Sequence, residues 1–309
     1  MGVIAILFTF VAIVGGVIYA TPRNIKRHVA VFVVRLTSSA PDASLPWKAK
    51  VLPHSPTLKT TAHNVWSLVG TLPPNGPKLQ RRMTIAKLSN GRLVVHSPVC
   101  CHQTLLDQIK AIGNVEFIII PNEMHRLDAA AWATEFPEAK VVCPKNSQQQ
   151  VEKAVKVHQT CEEAFPEYSS TSNSATYNGI SYVMPKGLYP DSGELVYLIK
   201  HENASTHSLI VCDLFFNIDP TTPDVDPALV TIGSACGFGC TAIGRFMFVK
   251  DKAVARKWAE TELCDVATKL KVTHVSVAHG EDLVAKSDDS VAIVKAIRKA
   301  AATFEKAHD

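Results

Sequence analysis

Histidine, aspartate and cysteine side chains stand at the ends of several apolar runs in this 309-residue chain, where a strand would hand over to a loop. Phe117-Ile118-Ile119-Ile120 is followed by Pro121-Asn122-Glu123-Met124-His125-Arg126-Leu127, Leu209-Ile210-Val211 ends on Cys212-Asp213, and Val275-Ser276-Val277 ends on Ala278-His279-Gly280. Imidazole and carboxylate groups hold protons and cations near neutral pH, so chemistry is expected at these endings. His96, closing the run Leu93-Val94-Val95, and His102 add two more imidazoles nearby.

Three other constellations carry less. Cys100-Cys101-His102 sets thiols beside a base, but neighbours in sequence seldom face each other and no orienting third residue can be named. Ser97, before Pro98, lacks a G-x-S-x-G elbow and is expected to shape the strand exit. Gly237-Phe238-Gly239-Cys240-Thr241-Ala242 fits the dinucleotide fingerprint formally, yet it comes late and no clear helix follows at once. With Gly233 and Gly244 it reads as a flexible rim loop whose backbone amides can approach an anion.

A loop after one strand, an Asp after a later strand and a terminal His-Gly together resemble the metallo-β-lactamase superfamily. Val65-Trp66, Arg82-Met83-Thr84, His96-Ser97-Pro98, Pro121-Asn122 with His125, Asp213-Leu214 with Asn217, and His279-Gly280 make the chain similar to one branch of it, known only as a domain of unknown function. The resemblance covers roughly residues 62–282 and implies an α/β fold of the αββα sandwich type. It also implies a first loop of the pattern His-x-His-x-Asp-His. With the strand ending at Ile120, those four slots hold Asn122, Met124, Arg126 and Leu127, none a usual zinc ligand, and His125 falls in a spacer position. The family's next histidine has no counterpart in Met184-Pro185-Lys186-Gly187-Leu188-Tyr189-Pro190. Asp213 and His279 match the bridging carboxylate and the last histidine.

Two ligands are too few, because catalytic zinc keeps three protein ligands and an open position. The resemblance therefore implies a sandwich with a degenerate metal site, of uncharacterised function and not a dinuclear zinc hydrolase. The alternative is a metal-dependent hydrolase with a single-metal site rebuilt from Asp213, His279, His125 and His96, holding one zinc, iron or manganese ion. Asn122, Glu123, Gly237 and Gly239 are expected on the pocket rim. His201 and His207 are read as supports of the turn before the Asp213 strand.

The elements that must position these groups follow from patterning. Val65-Trp66-Ser67-Leu68-Val69, residues 83–88 and residues 93–95 read as strands, with Asn90-Gly91 as a hairpin turn. Leu105, Ile109 and Ile112 mark a helix closed by Gly113, and the strand 117–120 follows. Residues 127–136 read as a helix, 140–143 as a strand, and Asn146 as the cap of a helix reaching about His158. A second β-rich half (180–183, 194–199, 208–212) precedes a long helix at 251–270, a strand at 272–277 and a final helix at 287–306.

Composition bounds the rest. An apolar fraction of 47% supports a sizeable core, and a net charge of +4, spread along the chain, argues against a nucleic-acid partner. Residues 2–20 contain no charge and, as a helix, would be about 30 Å long, enough to span a bilayer. Arg23, Lys26, Arg27 and His28 follow that run, so the expectation is an uncleaved transmembrane anchor over 1–20, a linker over 21–61 and a cytoplasmic domain over 62–309 of a single-pass membrane protein. A cleaved signal peptide is the alternative, given the Ile18-Tyr19-Ala20 context. Eight cysteines without a C-x-x-C pair suit a reducing compartment.

Overall fold

The computed structural model describes residues 25–31, 45–73, 78–169, 175–202, 204–222, 225–231, 233–286 and 289–305. One sheet contains, in spatial order, β1 (Lys59–Ala62), β2 (Val65–Thr71), β3 (Gln80–Lys87), β4 (Leu93–His96), β5 (Val115–Ile119), β6 (Lys140–Cys143) and β7 (Gln159–Thr160). Pairing is antiparallel from β1 to β4 and parallel from β4 to β7. In the second half of the chain lie β8 (Ile180–Val183), β9 (Val196–Lys200), β10 (His207–Val211), β11 (Phe216–Ile218), β12 (Gly237–Gly239), β13 (Val272–Val277) and β14 (Leu283–Val284). Five of them form the second sheet in the order β14-β13-β10-β9-β8, with β10 and β13 parallel, while β11 and β12 pair as a separate hairpin.

Helices cover both outer faces. α1 (Gln103–Ile112) buries Leu105, Leu106 and Ile109, and α2 (Ala129–Glu135) buries Trp132, all against the first sheet. α3 (Lys252–Trp258), a π turn (Ala259–Leu263), α4 (Cys264–Lys269) and α5 (Val291–Ala301) cover the second sheet. The α5 contribution is Ile293, Ile297 and Ala300, the i, i+4, i+7 stripe of an amphipathic helix. Phe117, Ile119, Tyr197, Ile199 and Ile210 fill the space between the sheets. Helix, sheet, sheet and helix stack as the expected αββα sandwich.

Three expectations change. Among the described residues no helix is long and apolar enough to cross a membrane. The discrete helices are short: α5, with 11 residues, spans about 16 Å against about 30 Å of bilayer core. The continuous helical run 252–269 carries Arg256, Lys257, Glu260, Glu262 and Asp265. The described fold is the mixed α/β sandwich, and among the described residues nothing supports the expected transmembrane helix or the single-pass membrane localisation. Residues 1–20 themselves lie outside the described residues. Second, residues 45–61 of the segment expected as linker join the fold: β1 starts at Lys59, and the Trp47 indole donates to the Cys101 carbonyl at 2.7 Å while its ring lies 5.4 Å from that of Trp132. Third, the helix expected after Asn146 is a single 3-10 turn and one α turn ending at Val151.

The eight cysteines form no disulfide among the described residues, and seven are buried. Burial pushes the Cys101 thiol up to about 12, with the Asp128 carboxylate adding to the effect, and Cys100 is raised further by the same causes. Neither thiol is a nucleophile at neutral pH.

The two sheets are joined at one end by Arg82 of β3, 2% exposed. Its guanidinium pairs with Asp282 at 3.1 Å and donates to Ser67 Oγ at 3.0 Å and to the Gly280 carbonyl. Its backbone N–H donates to Ala278 O at 2.8 Å, and Thr84 Oγ1 lies 2.7 Å from Ser276 Oγ further along the same seam. Removing one partner of a buried pair strands the other charge. Arg82→Ala should therefore cost about 3–5 kcal/mol of stability in urea unfolding, and pairing Arg82→Met with Asp282→Leu should recover much of that loss.

Candidate metal centre

The candidate residues converge because four strands end at one rim, two from each sheet. β4 and β5 are a parallel pair, as are β10 and β13, so their C-terminal ends point the same way within each sheet. Such carboxyl ends are where open α/β sheets place ligands. After β4 comes Ser97, after β5 the turn Asn122–His125, after β10 Cys212 and Asp213, and after β13 His279 and Gly280.

At the centre is the Asp213 carboxylate, buried at 3% exposure. Its Oδ1 lies 3.2 Å from His125 Nε2 and 3.2 Å from His279 Nε2, and its Oδ2 accepts a hydrogen bond from Asn122 Nδ2 at 2.7 Å. Burial alone would raise this carboxyl. The His125 and His279 contacts overcome that and hold it well below the usual carboxylate range.

Each imidazole is oriented from behind. His279 Nδ1 lies 2.6 Å from the Gln80 carbonyl of β3. A carbonyl only accepts, so Nδ1 carries a proton, and Nε2 is the ring atom that faces Asp213. His125 Nδ1 lies 2.7 Å from Ser97 Oγ. Ser97 has φ 54°, a left-handed conformation rare for a residue with a side chain, and its N–H donates to Ile119 O at 3.0 Å. Gly280 follows His279 at φ 93°, and a Cβ there would lie 2.0 Å from the Asn217 carbonyl, so only glycine lets β11 approach so closely. Phe216 of β11 packs against His279 with ring centres 4.5 Å apart and the planes tilted by 48°.

One side chain of an acidic pair lies behind Asp213. Glu194, 5% exposed, accepts from Asn122 Nδ2 at 2.9 Å and from the Leu214 N–H at 3.2 Å. Burial and the nearby Asp213 charge push its carboxyl well above the usual range. Asn122 Oδ1 in turn accepts from the Met124 N–H at 2.8 Å.

Of the expected candidates, the structure brings His125, Asp213 and His279 together; their donor atoms lie within 4.8 Å of one another. His96 is outside that group. Its ring stands edge-on to Tyr197 with centres 5.5 Å apart, and its Nε2 has no hydrogen-bond partner among the described residues. Asn122, 2% exposed, and Glu123 both line a cavity of about 20 Å³, room for about one water. Gly237 and Gly239 lie on β12, where Gly237 faces open space and Gly239 packs against Thr303. The fingerprint stretch is followed by a helix after all (Ala242–Phe248), capped by Thr241, which accepts from Gly244 N at 2.9 Å. His102 stands at the N-cap position of α1 without a side-chain capping bond, and its ring meets that of His54 with centres 4.7 Å apart. One contributor, Glu194, was not singled out from the sequence, while Ser97, expected to shape the strand exit, also brings its hydroxyl to His125. A lone carboxylate opening the apolar stretch Leu195-Val196-Tyr197-Leu198-Ile199 was the available sign of Glu194.

The donors fit a divalent cation. His279 Nε2 and Asp213 Oδ1 are both acceptors when the ring is neutral, so a proton or a cation must lie between them. Two ligands about 2.0–2.1 Å from a tetrahedral zinc would lie about 3.3 Å apart, close to the separations seen here. The remaining Nδ1 atoms engage a carbonyl and a hydroxyl, the outer partners metal-bound histidines require.

His96 generates a pH dependence. Burial, reinforced by the His125 charge and opposed by Asp213, lowers it from 6.5 to about 3. The unfolded chain then takes up a proton below about 6.5 that the folded chain refuses until about 3, so stability falls as pH falls through that window. In metal-free protein, His96→Gln should remove about one proton from this dependence, a slope of about 1.4 kcal/mol per pH unit, measured by urea unfolding between pH 6.5 and 4.

Residues 77–287, about two thirds of the chain, match the family model described as Domain of unknown function (DUF4336). No curated protein matches the chain. Among solved structures, DIM-1 metallo-β-lactamase exposed to ceftazidime aligns with a TM-score of 0.51 at 11% identity, covering 82% of this chain and 98% of that one. A second DIM-1 structure aligns with a TM-score of 0.50 at 10% identity, covering 80% and 97%. The metallo-β-lactamase from Pontibacter korlensis aligns at 0.46 and 10% identity, covering 80% and 98%. Likeness at such identities concerns the fold alone. On the family match and this shared architecture, the chain belongs to the DUF4336 family and has a metallo-β-lactamase-like fold.

Proposed function

We propose that this domain binds one divalent metal ion through His125, Asp213 and His279 and uses it as a single-metal hydrolase. The observation that carries this reading is the shared Asp213 oxygen, 3.2 Å from two imidazole nitrogens, one of which has its proton fixed on the far side by Gln80. Two histidines and one carboxylate form the ligand set of several single-zinc hydrolases and of non-haem iron sites. Zinc, iron and manganese are therefore the ions to test.

A cation held there would bring the pKa of water towards about 7, supplying a nucleophile at neutral pH. The protein residues do the remaining work. Asp213 supplies the one formal negative charge among the three ligands, Ser97 and Gln80 fix the ring planes, and Phe216 shields His279 from bulk water. The three donor side chains are 4–7% exposed, so substrate would enter over the β11 edge, where Phe216 and Asn217 are partly exposed. In hydrolysis a water oxygen bonds to the acyl or phosphoryl centre, the bond to the leaving group breaks, and the water proton passes to that group.

Purified full-length protein should carry about one equivalent of metal, lost from Asp213→Ala and His279→Ala variants that still fold by circular dichroism. A metal-free wild type after incubation with each of the three ions would refute the binding reading. Ester or phosphodiester probes should be turned over only by the metal-loaded protein; a loaded protein without turnover would refute the hydrolase reading alone. Ser97→Gly separates orientation from folding. It relieves the strained φ and removes the hydroxyl, so melting temperature should hold or rise while metal affinity falls about 10–100-fold.

A further inference from the structure

A second group of donors lies behind the first. Glu194, Cys212 and Asp213 each offer a ligand atom, all within 4.8 Å of one another, and all three are buried, at 5%, 1% and 3% exposure. Carboxylate and thiolate donors so arranged suit a divalent transition metal. One atom already stands among them. Asn122 Nδ2 lies 2.7 Å from Asp213 Oδ2, 2.9 Å from Glu194 Oε1 and 3.7 Å from Cys212 Sγ.

An amide NH2 has two hydrogens, and here both are engaged by carboxylate oxygens. The other end of the amide is fixed as well, since Oδ1 accepts from Met124 N at 2.8 Å. A flipped amide would set its oxygen against two carboxylates and its NH2 against an N–H, so the orientation is determined. Asn122 is 2% exposed and holds no charge, yet it puts a partial positive charge where two carboxyl groups and a thiol meet. That is the electrostatic task of a cation, carried out by a side chain that cannot dissociate.

We propose that the Asn122 amide takes the place of a second metal ion, making this residue the determinant that limits the centre to one ion and keeps Cys212 out of the coordination sphere. The proposal rests on the single-ion reading above for its native stoichiometry, but the latent inner site depends only on Glu194, Cys212 and Asp213. Replacing Asn122 removes the plug. Asn122→Ala leaves the three donors facing a void, and Asn122→Asp adds a fourth acceptor of nearly unchanged shape. In Asn122→Asp the crowded carboxylates repel unless a cation separates them, so this variant should be stabilised by metal more than wild type is.

Cobalt(II) is the probe, because thiolate ligation to it gives a near-ultraviolet charge-transfer band that nitrogen and oxygen ligands do not. Full-length wild type and both variants, made metal-free, are titrated with cobalt, with bound metal counted by elemental analysis and folding followed by circular dichroism. The expected result is one equivalent without the sulfur band in wild type, and two equivalents with the band in Asn122→Asp or Asn122→Ala. The band should vanish in Asn122→Asp/Cys212→Ser and persist in Asn122→Asp/His125→Ala, whose inner donors are intact. A sulfur band in wild type overturns the proposal, as do two folded variants that bind no more cobalt than wild type. If wild type takes no cobalt while Asn122→Asp takes one ion with the band, the plug is upheld and the single-ion function is what fails. Should Asn122→Ala not fold, the isosteric Asn122→Asp decides the matter alone.

Discussion

A carboxylate taken out of water has to be compensated, and the buried Asp213 sets that requirement for the whole rim. Its two oxygens are met from different directions, by His125 and His279 on one and by Asn122 on the other. Every neighbouring peculiarity serves one of those contacts. Ser97 accepts a left-handed backbone to reach His125, Gly280 allows β11 to press against the turn that carries His279, and Arg82 ties the β13 exit to β3, whose Gln80 carbonyl orients the same histidine. Losing the negative charge at 213 would leave these supports directed at nothing.

The sandwich exists to bring those directions together. A single sheet could present the ends of β4 and β5, or of β10 and β13, but not both on opposite sides of one carboxylate. Packing Phe117 and Ile119 of one sheet against Tyr197, Ile199 and Ile210 of the other sets the distance at which the loops meet. Dispersion and hydrophobic burial in that seam thus fix a polar geometry several residues further along the strands.

Much of this was legible in the sequence, for a physical reason. Apolar runs that stop at a polar residue mark strand exits, and strand exits in α/β folds are where side chains meet; His125, Asp213 and His279 stand at such exits. The burial of Asn122, which also lines a cavity as expected of a rim residue, was not legible because an amide in a loop has no signature of burial. Its place inside depends on contacts no local pattern encodes, such as the close packing of Gly193 on Ser147 and on Asn122 Cβ. Glu194 escaped for the opposite reason: a carboxylate at a strand start reads as solvent-facing unless its partners, 72 residues away at Asn122 and 20 away at Leu214, are known. His96 was placed with the donors because it ends β4, but the period-two alternation of a strand turns its ring towards Tyr197. The anchor expectation rested on the hydropathy of residues 1–20 and the basic cluster after them, and no helix among the described residues is long and apolar enough to cross a membrane.

The parallel pairing that delivers the donors also divides them. His125 arrives with the first half of the chain and Asp213 and His279 with the second, 88 residues separating the first from its acceptor. Neither half alone owns enough ligands to hold an ion strongly. For an ion held by these three residues, coordination and the docking of the two halves would be one thermodynamic event: whatever loosened the seam would release the ion, and capture of the ion would clamp the seam, so that the centre would act on the architecture as a fastener.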